Sequence, residues 1–287
     1  MCGEFNGLKA KILEENDSAY YVHCFAHQLQ LVVVAVAKKH LGVVDFFYKL
    51  SLVTNVVCAS CKRKDILIEC EKVRVEKVIG NREVKTGSGK NQELSLTRAR
   101  DTRWNSHYKT ILRLMDMLPS LIKVLEFVEN EGNNGSTQNQ ASGILVYFES
   151  FDFVFYLHLM KYIMGLTNIL SQALQKRDQD VVEAVSLVKS TKEQLKEFRV
   201  NGLVPLLTII SSFCEKHNIK VLNMDEVYVN PSGRRRRINV TNQYFFEVEC
   251  FNTVVDMQIQ EFNDCFSEAG SELLTNMACL NPLIILP

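Results

Sequence analysis

The run AYYVHCFAHQLQLVVVAVAKKH, Ala19 to His40, dictates more about the fold than any other part of the chain. Ala19-Tyr20-Tyr21-Val22 is aromatic and β-branched, the composition of a short, half-buried strand. After His23-Cys24-Phe25-Ala26-His27 comes Leu29 to Ala37, apolar on nearly every side, which predicts a helix buried almost all round. Lys38, Lys39 and His40 then place cations at the negative end of that helix's dipole. A buried strand feeding a buried helix belongs in an α/β interior. A lone strand, however, leaves its backbone groups unpaired, and little else in the chain has the period of a strand.

The rest reads as helix. Phe5, Leu8, Ile12 and Leu13 recur at helical spacing before a turn at Asn16-Asp17-Ser18. Val43 to Ile68 is predicted as one continuous helix, with Phe46, Phe47, Leu50, Val53, Val57 and Cys61 on one face. Glu69 to Asn91 turns charged and glycine-bearing, which suggests a mobile crossing. Its Gly87-Ser88-Gly89-Lys90 lacks both the earlier glycine and the following Ser or Thr of a phosphate-binding loop. Tyr108 to Glu129 carries an apolar stripe of Ile111, Leu114, Met115, Leu118, Leu121, Ile122, Leu125 and Val128. Glu129 to Gly143, rich in Asn, Gly, Gln and Ser, reads as a linker. Beyond it Phe148, Phe151, Phe155, Leu159 and Tyr162 mark one helix, Val181 to Phe198 a second and Leu203 to Cys214 a third. Ile219 to Val240 is polar and irregular. Thr241 to Phe266 is a last long helix with Tyr244, Val248, Phe251, Val255, Ile259, Phe262 and Phe266 in three-four alternation.

Composition narrows the function classes. Lys+Arg and Asp+Glu are both 33, so no global field draws nucleic acid or anionic membrane, and any contact with DNA has to come from a local patch. Nine cysteines, an odd and scattered set in a chain of 287 residues, point to a reducing interior rather than a disulfide scaffold. No secretory leader is visible, and no apolar run reaches the roughly 18 residues of a spanning helix. The expectation is a soluble intracellular protein, nuclear or cytoplasmic, with no membrane partner and no small-molecule substrate.

Three blocks, in order, resemble the hAT superfamily of DNA transposases, and within it the plant proteins called zinc finger MYM-type-like. Gly3-Glu4-Phe5-Asn6-Gly7-Leu8-Lys9 through Tyr21-Val22-His23-Cys24-Phe25-Ala26-His27-Gln28-Leu29 is similar to the block holding the family's Cys-x-x-His motif. Asn91 to Leu96 with Thr102-Arg103-Trp104-Asn105-Ser106-His107 is similar to its Arg-Trp block, and Phe246 to Pro282 to the late part of its helical insertion. The resemblance implies a fold that is mainly α: an incomplete ribonuclease-H-like α/β fragment at the N-terminus, then a large helical insertion. It divides the chain into a partial ribonuclease-H-like segment with the start of the insertion (1–68), a mobile crossing with the Arg-Trp block (69–107) and the insertion itself (108–287), with the linker near 129–143. It further implies Mg²⁺ chemistry on two Asp and one Glu. Those would lie upstream of Gly3 and beyond the insertion, so no catalytic residue is expected here and the chain is expected not to be an enzyme. An active transposase subunit completed by carboxylates from elsewhere is the alternative, as is a helical scaffold for protein partners.

The candidate site residues are few. Cys24 and His27 carry the Cys-x-x-His motif by resemblance, and with Cys58 and Cys61 they make a weak zinc set, a buried structural pair being the plainer reading. Arg103 and Trp104 resemble residues that stack on DNA during strand transfer, although a Trp opening a helix is often core. Arg234, Arg235, Arg236 and Arg237 suit phosphate contact or a nuclear localisation signal, against a solvated loop. Asp256, Glu261 and Asp264 have the spacing of an ordinary solvated helix face. No resident cofactor is expected. The partners implied are DNA, held weakly, or another protein, including a second copy.

Overall fold

Phe151-Asp152-Phe153-Val154-Phe155-Tyr156-Leu157-His158-Leu159-Met160 has no polar face, so a helix made from it needs neighbours on every side. It has them in a computed structural model of the chain, which describes residues 7–16, 24–80, 96, 104–131, 135–175, 181–229 and 240–266. These are mainly helical: α1 (Leu8–Glu15), α2 (Phe25–Lys39), α3 (Leu41–Cys58), α4 (Cys61–Gly80), α5 (Trp104–Asn130), α6 (Gly135–Phe148), α7 (Phe151–Leu174), α8 (Val181–Asn201), α9 (Leu203–Lys216), α10 (Asn242–Tyr244), a π-helical segment (Phe245–Asn252) and α11 (Thr253–Cys265). α7 is the hub, packing against α2, α3, α5, α6, α8 and α9. Val154, Phe155, Leu157, Leu159 and Ile163 are wholly buried. Ser150 starts it by accepting the Phe153 N–H.

One apolar cluster runs through α2, α3, α5, α6, α7, α9 and the π-helical segment, and a smaller one joins Leu29 and Val32 to Leu170, Leu195, Phe262 and Phe266. α3 and α7 match a membrane span by length and composition, and α7 is so apolar because it is the core helix. Among the described residues the only extended pairing is an isolated antiparallel bridge between Val227 and Thr241. The expected strand at Ala19–Val22 lies outside the described residues.

Several boundaries differ from the sequence reading, each for a local reason. Val43 to Ile68 is two helices, interrupted at Ala59 and Ser60. The first part of the expected crossing, Glu69 to Gly80, is helical: Leu67 is buried and the buried Glu71 carboxylate is bonded by Arg74 at 2.8 Å. The expected linker at 129–143 contains the start of α6. Ala141, Ile144 and Phe148, spaced as one helical stripe, pack into the main core, and Gln138 Nε2 donates to the Glu129 carbonyl at 3.1 Å. Three apolar contacts outweigh a composition poor in helix formers. Phe148 and Phe151 belong to two helices, separated by the Ser150 cap.

The last helix carries a further correction. The three-four alternation put Tyr244, Val248 and Phe251 inside; Phe251 is buried, but Tyr244 is exposed and Val248 only half-buried, and Phe246 and Cys250 take inward places. A π-helical turn takes more than four residues, so the inward positions become 246 and 251 before α11 resumes with Val255, Gln258 and Phe262.

α5 runs 27 residues through Pro119. The ring faces solvent, so the Met115 carbonyl left without an N–H donor is on the wet side of the helix. Pro119→Ala restores that bond and is expected to stabilise the chain by ~1–3 kcal/mol. A rise in the urea midpoint at unchanged m-value checks it.

Candidate functional site

The densest polar constellation lies where α7 meets the π-helical segment. Asp152, in the first turn of α7, accepts a hydrogen bond from the Tyr228 hydroxyl at 3.0 Å. Tyr228 is carried on the irregular segment 219–229, pinned by Tyr228 N–H to Val240 O (2.9 Å), Asn242 N–H to Glu226 O (2.8 Å) and Asn242 Nδ2 to Asn223 O (2.7 Å). Its ring stacks on Phe245 with centroids 3.6 Å apart. One turn further along α7, the Tyr156 hydroxyl meets Cys250 Sγ at 3.1 Å. Tyr156 fits because residue 42 is glycine: a Cβ there would stand 2.0 Å from the Tyr156 hydroxyl oxygen.

His40 ties the same region together. Its Nε2 donates to the Glu249 carbonyl at 2.9 Å, and its Nδ1 accepts the Val43 N–H at 3.3 Å, capping α3. One nitrogen must carry the proton and the other must not, so this geometry selects the neutral Nε2–H tautomer. At the outer edge Lys49 pairs with Asp45 at 2.6 Å and lies 3.9 Å above the Tyr147 ring. The Tyr147 hydroxyl is buried without a hydrogen-bond partner among the described residues.

Burial sets the protonation of this group. It pushes the Cys250 thiol up to about 12 and the Tyr156 and Tyr228 phenols well above their usual range. It also raises the Asp152 carboxyl, against the opposing hydrogen bond from Tyr228. A thiol at about 12 is neutral near pH 7, so Cys250 beside Tyr156 is a packed donor–acceptor pair and not an activated nucleophile. The arrangement can lock α7, the irregular segment and the π-helical turn in one register.

The residues singled out from the sequence stand elsewhere. Cys24 caps the start of α2 and is exposed, as is His27. Cys58 is half-buried and donates to the Leu96 carbonyl at 3.3 Å, while Cys61 is exposed at the head of α4. These four are not gathered: among the described residues no group of three or more His, Cys, Asp or Glu is placed to hold a metal ion. Trp104 opens α5. Arg103 and Arg234 to Arg237 lie outside the described residues. Asp256 pairs with Arg199 at 2.7 Å, Glu261 with Lys39, and Asp264 accepts from Gln260 at 2.8 Å, so each has a partner on or beside its helix face. Asp152, Tyr156, Tyr228 and Cys250 were missed, and His40, expected as a cation ending α2, instead caps α3 by accepting the Val43 N–H. The local signal that could have found one of them is Ser150-x-Asp152, a helix-start signature not read as one from the sequence. No protein-family model matches the chain, and no solved structure matches it.

Two outcomes are expected. Gly42→Ala forces the Tyr156 ring out of place and costs ~1–3 kcal/mol, read by urea unfolding. Tyr228→Phe, which strips the donor from Asp152, costs ~1–3 kcal/mol in the same assay. The pH dependence has a defined sign. An acid whose folded pKa is raised stabilises the fold least when ionised, so stability is lost as pH climbs from the unfolded value, about 4, through the raised one. Asp152→Asn removes that loss. Its stability relative to the parent chain should therefore rise over this window and then level off, and a pH series of urea midpoints checks it.

Proposed function

We propose that the chain is a non-catalytic module derived from an hAT transposase, whose work is to bind a protein partner rather than to break DNA strands. Three features support the reading. The resembling blocks occur in the family's order, the described residues are mainly helical as an insertion domain should be, and α3 has an unpartnered apolar stripe. That stripe carries the argument. α3 buries Val43, Phe46, Phe47, Leu50 and Val53 in the core, yet Leu41 (85% exposed), Val44 and Tyr48 (60%) recur on its outer side at i, i+3 and i+7. A helix apolar on both sides is built for two neighbours. In this reading α1 and α2 belong to the partial ribonuclease-H-like segment, the outer side of α3 is available to a partner, and the protein acts inside the cell. The Mg²⁺-binding carboxylates that the intact family needs are not among the residues assigned here.

Sedimentation of the chain and of a Leu41→Glu/Tyr48→Lys variant tests it, alongside a Mg²⁺-dependent strand-cleavage assay and a DNA titration on the same samples. The expected result is no cleavage, and self-association or capture of a defined partner that the variant loses with unchanged far-UV circular dichroism. Cleavage of DNA by the chain with Mg²⁺ would overturn the reading. Salt-sensitive DNA binding that vanishes on replacing Arg234 to Arg237 with Ala, but survives the α3 changes, would assign the function to nucleic acid.

A further inference from the structure

α9 buries Leu206, Ile210 and Cys214 against α7 and α8, and its last turn brings Phe213 to the imidazole of His158 on α7. The Phe213 and His158 rings meet edge to face, with centroids 4.8 Å apart. His217, which ends α9, packs on Phe213 at 4.3 Å. Two imidazoles thus touch one phenyl ring where two helices join. His158 is 5% exposed and His217 is half-buried. The chain turns sharply just beyond, at Asn218 with φ 56°, and Ile219 N–H donates to the Cys214 carbonyl at 2.8 Å. α9 then leads straight into the irregular segment that carries Tyr228 to Asp152.

The surroundings suit these rings only while they are neutral. Nδ1 of His158 is 2.9 Å from the Val154 carbonyl, which can only accept, so that nitrogen holds the proton of the neutral ring. The charged groups acting on His158 are Lys161, one turn ahead on α7, and His217; on His217 the acting charge is Lys216. All are cationic. Among the described residues, no carboxylate of α7, of the six helices packed on it or of the π-helical segment acts on either imidazole. Glu215, beside them in sequence, acts on Cys214 instead. Burial first, and these cations second, hold both imidazoles below the ordinary histidine range. The Val154 carbonyl favours the charged form of His158, but by less than burial disfavours it. A histidine whose folded pKa is depressed contributes stability that is complete above the unfolded value, about 6.5. That stability is lost as pH falls from there through the folded value. Both rings sit at one contact, the end of α9 against α7, so the loss is concentrated there.

We propose that His158, Phe213 and His217 form an acid-sensitive latch, which docks the end of α9 on α7 while both imidazoles are neutral and releases it when they gain protons. Cys214, wholly buried next to Phe213 on α9, reports the release. Cys250, buried against Tyr156, reports opening of the whole fold. The test labels the full chain with a pyridyl disulfide at about pH 7.5 and about pH 5.5, on either side of the ordinary histidine value. Peptide masses give the rate at each cysteine, and each rate is divided by that of the urea-unfolded chain at the same pH. Cys214 is expected to open more often than Cys250 at both, and about tenfold more often at the lower pH than at the higher. A His158→Asn/His217→Gln variant is expected to lose that rise: His158→Asn keeps a donor for the Val154 carbonyl, and neither replacement can be charged. Cys214 opening no more often than Cys250 overturns the latch, because only the whole fold then opens. No rise at the lower pH overturns it too, as does a rise that persists in the double variant. Should the double variant fail to fold, His217→Gln decides alone: the rise must shrink to about threefold, and an undiminished rise overturns the proposal.

Discussion

Everything in the fold answers to the burial of α7. A helix with Val154, Phe155, Leu157, Leu159 and Ile163 all at zero exposure has no side left for water, so six other helices must each lend it an apolar stripe. Each polar atom on it must then be satisfied on the spot. Thr167 donates to the Ile163 carbonyl one turn back, and His158 Nδ1 is 2.9 Å from the Val154 carbonyl. Burial pushes the His158 imidazole down, which keeps it neutral in the core. Asp152 and Tyr156 find no such local answer. Their partners, Tyr228 and Cys250, come from segments far along the chain, and that is why the irregular stretch after α9 is held in one place.

The π-helical segment follows from the same demand. Phe246 must meet both Phe151 (centroids 5.0 Å apart) and Phe155 (4.8 Å), while Phe251 packs against Phe198 at 5.0 Å. Five residues separate Phe246 from Phe251, and a wider turn brings both to the inner side where an α-helical turn would splay them apart. The cost is a set of poorly matched carbonyls. Glu249 O is taken by the His40 ring and Val248 O by the Thr253 hydroxyl at 2.8 Å. His40, sitting between α2 and α3, thus couples the start of α3 to the π-helical turn.

How far the sequence disclosed this depends on the kind of signal involved. α5, α8 and α9 were legible because a long apolar period of 3.6 has one interpretation, and α2 because its apolar run from Leu29 to Ala37 is long enough for a buried helix. Of the stripe expected on α5, Ile111, Leu114, Leu118, Leu121, Leu125 and Val128 are buried, with Met115 and Ile122 at its margin. α6 was illegible because its evidence is Ala141, Ile144 and Phe148, three residues whose meaning depends on a groove built elsewhere. The π-helical turn hid behind a regular alternation that placed Phe251, Val255, Phe262 and Phe266 inside, as they are, but also Tyr244 and Val248, where Phe246 and Cys250 are buried instead. The polar site was hidden for a further reason: Tyr156 and Cys250 are 94 residues apart, and Asp152 and Tyr228 are 76 apart. No local spacing encodes such pairs.

Ion pairs between helices tie several elements of this molecule together. Glu261 and Asp256 hold α11 to Lys39 of α2 and to Arg199 of α8, and Glu131 holds the end of α5 to Lys62 and Arg63 of α4. Carboxylates spent on joining helices are not gathered for a shared ligand. With equal numbers of acidic and basic residues, long-range steering is weak as well. Alongside its charged residues, the described surface exposes Leu41, Val44 and Tyr48 in one stripe on the outer side of α3. On the reading proposed above, recognition works by shape and desolvation, with affinity carried by a few large side chains such as Leu41 and Tyr48 and little changed by salt.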